Sequence, residues 1–255
     1  DIDHIEVLEG AASRVFGTSA FNGAINIVTK KAKNDGVSAS VEGGSFGSFG
    51  AQGRVQTAYA KGKWTHAYSA SGGYKRSDGG TDNSDFEKGQ GFGQVNLSYD
   101  QRFDINAQVG ISTQSYGANT FYSAKYNNQY EKTDHGMASL NLSLHNQEKT
   151  WEIAPQFYYN NFKDHYQLIR GMAGAKAGEN YHDLDVYGGG LNANVAWALG
   201  KTAVGFDISK ECIYSTALGE ELAEKDYKDI SGSDRQYTRK GERTNTNIML
   251  EHNFI

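Results

Sequence analysis

From Val37 onward apolar and polar residues alternate along the chain, the pattern of strands whose successive side chains face opposite environments. Val37, Ala39 and Val41 share one phase against Ser38, Ser40 and Glu42. Phe49, Ala51, Gly53, Val55, Thr57 and Tyr59 then oppose Gln52, Arg54 and Gln56, and Phe46 and Phe49 flank the turn between these two segments. The same rule holds over 64–74, 94–99, 103–114, 138–144, 151–159, 191–197, 202–209 and 247–254. The pattern predicts an antiparallel all-β protein of about ten strands, each long enough for a tilted bilayer crossing.

A soluble sheet with one wet face alternates too, so the solvent must be read from other signs. The connections supply one. They switch between tight (61–63, 100–102, 146–149, 200–201) and long (76–90, 117–135, 161–185, 215–242). Short turns at one end and long loops at the other are the habit of transmembrane barrels. The aromatic residues supply another, since Tyr59, Trp64, Tyr99, Phe103, Trp151 and Trp197 all sit close to the tight turns, as an interfacial girdle does. Charges such as Arg54, Glu152, Asp207 and Glu251 keep to the polar phase; a basic residue on the lipid side would cost roughly 2–4 kcal/mol. Pro155 falls mid-strand on the apolar face, where its missing N–H predicts a bulge or a local register error.

Composition narrows this further. With 22% charged residues and a net charge of -5, the chain has no run apolar enough for a spanning helix, and the single Cys212 cannot close an internal disulfide. The first residues lack the basic and apolar regions of a signal peptide, so either the mature chain starts here or it is a piece of a longer one.

Residues 1–35 do not alternate. They read as a strand at 5–8, a small-residue turn, a short helix, an Asn22-Gly23 turn and a strand at 24–29, with 30–36 as a polar linker. The run from Ile5 through Glu9, Gly10, Phe16, Gly17, Asn22, Gly23, Ile25, Ile27 and Thr29 to Lys30 resembles the closing stretch of the plug domain of TonB-dependent outer-membrane receptors. Glu9 and Ala11 depart from that pattern, where the family usually has Arg and often Pro. The resemblance implies two units: 1–35, the C-terminal end of an α+β plug, and 36–255, the N-terminal part of a transmembrane β-barrel. It also implies plug residues before Asp1 and strands after Ile255.

The segments 116–126, 180–188 and 250–254 resemble cobalamin receptors of Bacteroides-like bacteria. This implies energy-coupled uptake of cobalamin or another corrinoid, with a ferric siderophore as the rival ligand and a barrel adhesin or outer-membrane enzyme as the rival class. The implied partners are the TonB–ExbB–ExbD energy-coupling complex, outer-membrane lipid and a surface lipoprotein.

Candidate chemistry lies in the long loops. Asp78, Asp82 and Asp85 offer hard oxygen ligands of the kind calcium accepts, in a spacing that is not an EF-hand, and a solvated acidic loop is the plainer reading. Tyr116, Asn119, Phe121, Tyr122 and Tyr126 supply rings and an amide for a large ligand, or an outer girdle against lipopolysaccharide. No His has a second His or Cys at ligand spacing, and His66 and His252 fall at girdle positions. No nucleophile elbow or phosphate loop occurs, so no enzyme activity is expected, and net acidity without a basic stripe opposes nucleic-acid binding.

Overall fold

The structure, a computed structural model, describes residues 2–9 and 23–254. The short helix expected before Asn22 lies outside these residues. Strands β1 (Ile2–Glu9) and β2 (Gly23–Thr29) pair antiparallel as a sheet of their own, Val7 opposite Ile25 and Ile5 opposite Ile27.

The long strands from Gly36 onward build one antiparallel wall. In chain order its strands are β3 (Gly36–Gly44), β4 (Ser48–Lys61), β5 (Trp64–Ser77), β6 (Phe86–Tyr99), β7 (Phe103–Gly117), β8 (Tyr130–His145), β9 (Trp151–Gln167), β10 (Glu179–Trp197) and β11 (Gly200–Ser215). The short β12 (Glu220–Glu221) and a hairpin of β13 (Lys228–Asp229) with β14 (Gln236–Tyr237) precede β15 (Arg239–Phe254). Each long strand pairs with its sequence neighbour, and β15 closes the row against β11, with β12 on its far side. The ten long strands match the number the alternation predicts.

Register assigns the two faces. The row Val55, Ala70, Gly93, Val109, Ala138 and Tyr159 runs straight across six strands in the apolar phase. One residue along, Gln56, Ser69, Gln94, Gln108, Ser139 and Tyr158 form the polar row behind it. The polar face is the inner one, because Gln94 and Gln108 donate to Thr29 Oγ1 at the end of the β1–β2 hairpin, at 3.0 and 3.3 Å. Among the described residues nothing covers the apolar face: Val109, Ile111, Phe157 and Ile248 are 55, 67, 54 and 81% exposed. Burying such a side chain is worth roughly 1.5–3 kcal/mol. A face that forgoes this many times over is built for hydrocarbon rather than water. This is the wall of a partial transmembrane barrel.

The girdle at the tight-turn end is in place. Trp64 stands opposite Tyr99 with ring centroids 5.0 Å apart, and His66 stacks on Tyr59 at 4.7 Å while bonding the Tyr68 hydroxyl. His252 likewise bonds Thr202 and packs against Trp197 and Phe254. Both histidines thus belong to the aromatic clusters at the tight-turn end.

Four expectations need correction. The turn between β10 and β11 is at 198–199, and Gly200 already belongs to the strand. Its φ is +135°, and a Cβ there would stand 2.0 Å from the Asn253 carbonyl, so glycine serves a close strand approach rather than the turn. The connection at 45–47 is tight although it lies at the long-loop end, where Phe46 O accepts from the Asp78 N–H. The long loops shrink to 78–85, 118–129, 168–178 and 216–238, because the ladders continue beyond the apolar band. There both faces are polar, as at Asn161, Lys163, Asp183 and Asp185, so alternation fades while pairing persists. Finally, Pro155 makes no bulge. Asn141 pairs with Gln156 and Leu144 with Ile153 in one unbroken register, with the two rungs between them unmade.

Candidate functional site

The loop end of the wall gathers the polar and aromatic groups that the lipid band excludes. Tyr116, next to last in β7, stands opposite Glu131, second in β8, and Glu131 stands opposite Tyr166 of β9, all in the inner phase. Tyr116 donates to Glu131 Oε2 at 2.6 Å. Tyr122, arriving from the loop 118–129, donates to the same oxygen, with its hydroxyl 3.1 Å from that of Tyr116. Its ring meets Tyr166 edge-on at 5.4 Å and Phe121 edge-on at 4.9 Å. Asp164, two positions before Tyr166, presents a buried Oδ1 without a hydrogen-bond partner.

Burial, and then the Glu131 carboxylate, push the Tyr122 hydroxyl up to about 12. It is therefore a protonated donor at neutral pH. With both phenol hydrogens directed at Glu131, the cluster offers phenol and carboxylate oxygens as acceptors on one side and aromatic edges on the other. That suits a large ligand with both ring and amide or hydroxyl character, held without covalent chemistry.

At the tip of the second long loop, Tyr122 is 48% exposed and is flanked by Phe121 and Tyr126, 76 and 38% exposed. The tip is held from inside by Gln129, which is completely buried. Gln129 Nε2 donates to the carbonyls of Ser123 and Tyr126 at 3.1 and 3.0 Å, and its Oε1 accepts from the Tyr122 N–H at 3.1 Å. Asn119 stands in this loop but spends its amide on the Asp82 carbonyl at 2.7 Å, so it ties loops together.

Two of the three aspartates proposed for calcium are paired with arginines. Asp78 pairs with Arg76 at 2.6 Å and Asp85 with Arg170 at 2.6 Å, while Asp82 contributes its carbonyl to Asn119. Among the described residues no three His, Cys, Asp or Glu side chains converge as a metal site. A further hub joins the third and fourth loops. Glu179, 3% exposed, accepts from the Gly174 N–H, His165, Gln167 and Tyr181, and is met by Arg235 at 3.4 Å.

Of the residues singled out from sequence, Tyr116 and Tyr122 come together, Phe121 and Tyr126 crown them, and Asn119 and the aspartates stand aside. Glu131, Tyr166, Gln129 and Arg170 were not anticipated. Glu131 was findable, since extending the β7–β8 register past the apolar band places it opposite Tyr116. Gln129 and Arg170 carry no local signal.

No protein-family model matches the sequence, and no curated protein sequence matches it. Solved structures do. The copper transporter OprC superposes with a TM-score of 0.67 at 19% identity over 84% of this chain and 34% of its own. The siderophore receptor PiuA from Acinetobacter baumannii gives 0.66 at 14% identity over 84% and 36%. The pyoverdine outer membrane receptor FpvA from Pseudomonas aeruginosa gives 0.68 at 12% identity over 87% and 37%. The chain thus spans about a third of the length of these neighbours. Such neighbours are TonB-dependent outer-membrane receptors, and what this chain shares with them is the fold of their barrel wall.

Proposed function

We propose that this chain is part of a TonB-dependent outer-membrane receptor that takes up a scarce, large nutrient with energy supplied across the periplasm. One observation carries the reading: the Tyr116–Tyr122–Glu131 cluster lies on the inner face of the wall at the loop end, beneath an exposed aromatic tip. A lumen-facing recognition cluster opposite the short-turn end is where a ligand arriving from outside would first be held. In this reading residues 1–35 are the end of the plug and 36–255 the first part of the barrel. The Thr29 contacts with Gln94 and Gln108 support a plug seated on the inner wall.

Cobalamin or another corrinoid is the ligand we favour, on the resemblance of 116–126 and its mixture of rings and hydrogen-bonding groups. A metal–siderophore complex is the second reading, and the fold neighbours named for copper and siderophores favour it. TonB with ExbB and ExbD is the energy-coupling partner in either case.

The deciding experiment is equilibrium binding of cyanocobalamin and of a set of ferric siderophores to the full-length receptor in detergent, with and without calcium. Binding of one class, weakened about tenfold or more in Tyr122→Ala, is the expected result. Siderophore binding alone overturns the corrinoid assignment. Retention of full affinity after Tyr116→Ala, Tyr122→Ala and Glu131→Gln overturns the site.

A further inference from the structure

Three of the long loops are not independent flaps. Arg170, from the loop that follows β9, reaches back to the loop that follows β5 and places a two-pronged clasp on Asp85, Nη1 to Oδ1 at 2.6 Å and Nη2 to Oδ2 at 2.9 Å. The same Nη1 donates to Asn83 Oδ1 at 3.2 Å, and the guanidinium lies 4.9 Å over the ring of Tyr130. Its backbone N–H donates to the Asn128 carbonyl at 2.7 Å.

Asn83 is the second joint. It adopts a left-handed φ of +51°, a conformation that asparagine tolerates better than most residues. Its Nδ2 donates to the carbonyls of Gln129 and Asn127 at 2.6 and 3.1 Å, and its own carbonyl accepts from the Asn119 N–H at 3.1 Å. The Gly117 N–H completes the seam on the Asp85 carbonyl at 2.9 Å. A Cβ on Gly117 would stand 2.6 Å from the Asn83 carbonyl, so the seam needs glycine there. Gln129 then passes this order on to the 122–126 turn through its buried amide.

We propose that Arg170 is the positioning residue for the Phe121–Tyr122–Tyr126 tip: with Asp85 and Asn83 it fixes the 127–129 backbone that carries Gln129, whose amide in turn grips the tip, so a ligand meets a preset cap instead of a loop it must order. Its importance for binding rests on the reading of the tip as a ligand contact; its effect on the order of the tip does not. A bidentate guanidinium–carboxylate pair stacked on a ring is the geometry in which an exposed ion pair does more than the median, and lysine cannot reproduce it. Ordering the tip in advance removes a cost otherwise met on binding.

The test uses the full-length receptor in detergent with Cys212→Ser and a nitroxide at Ala124→Cys, an exposed position of the tip. Arg170→Ala and Asp85→Asn are each expected to raise the mobile fraction of the nitroxide several-fold, Arg170→Lys to give an intermediate value, and the swapped pair Asp85→Arg with Arg170→Asp to restore part of the order. Heat-modifiable migration on gels confirms that each barrel is folded. An unchanged spectrum in folded Arg170→Ala overturns the proposal. Cyanocobalamin association, measured on the unlabelled proteins, is expected to slow about five- to tenfold in Arg170→Ala. If wild type binds and the variant associates equally fast despite a freed nitroxide, the preset-cap half of the proposal is overturned, while the ordering of the tip by Arg170 stands. If wild type does not bind cyanocobalamin, the corrinoid reading has failed, and the nitroxide still decides whether Arg170 orders the tip.

Discussion

The two ends of this wall are held by different physics. At the tight-turn end, connections such as 62–63 and 198–199 leave the chain no freedom, and the aromatic pairs Trp64–Tyr99 and Tyr59–His66 sit where the lipid headgroups would be. Order there follows from local alternation plus a solvent boundary. At the loop end, order depends on a few polar side chains that reach between loops: Arg170 to Asp85, Asn83 to Gln129, and Glu179 to Arg235. The first kind of order is redundant, spread over many rows of the ladder. The second kind is concentrated, and single substitutions should undo it.

The sharpest break between the two should come from a charge in the apolar band. Leu140→Arg, on the outer face of β8, is expected to destabilise the folded full-length receptor by about 2–4 kcal/mol, whereas Ser139→Arg, one residue away on the inner face, should cost far less. Denaturant titration in lipid vesicles reads both, and equal penalties would show that the faces are misassigned.

Next in size is the loop end. Gln129→Ala removes three hydrogen bonds from a fully buried amide and leaves their partners unpaired, a local cost of about 1–3 kcal/mol. Hydrogen exchange should accelerate across 118–128 and stay unchanged in the ladder of β7. A uniform change throughout the wall would mean that the loops are not a separate cooperative unit.

The clasp has a predictable pH dependence. Arg170 holds the Asp85 carboxyl below its ordinary range of about 4. A depressed carboxyl contributes stability that is complete above that range and lost as pH falls through the lower folded value. Tip order, read by the Ala124 nitroxide, is therefore expected to be flat from pH 8 to pH 5 and to decline only below about pH 4. A transition near neutrality would point to another group. The smallest effect belongs to the opposite end, where Lys63 meets Asp100 at 3.1 Å with its side chain largely in solvent. Lys63→Ala should shift stability by less than about 1 kcal/mol.

The same contrast explains what could be read from sequence. Ten strands, their two faces and the girdle were legible because one face meets hydrocarbon and every second residue records it. Legibility stops near Tyr159 and Tyr187, where the outer face turns polar and the period-two signal vanishes although pairing continues to Gln167 and Glu179. The calcium expectation for Asp78, Asp82 and Asp85 counted oxygens along a loop, and the guanidiniums that pair with two of the carboxylates are set by the fold rather than by that local spacing. Tyr116 was legible as an amphipathic ring in the lumen phase, and Tyr122 as one of the rings of the loop that follows it. Their shared acceptor Glu131 required the register, and Arg170 lies 85 residues from Asp85, beyond any local pattern.

The most direct test of the two-ended account is the accessibility of single cysteines on intact cells. In the full-length Cys212→Ser receptor, Phe121→Cys should react with a membrane-impermeant maleimide from outside, and Lys63→Cys should react only after the outer membrane is breached. Labelling of Lys63→Cys from outside, with Phe121→Cys protected, would contradict the orientation and, with it, the placement of the ligand cluster at the outer mouth.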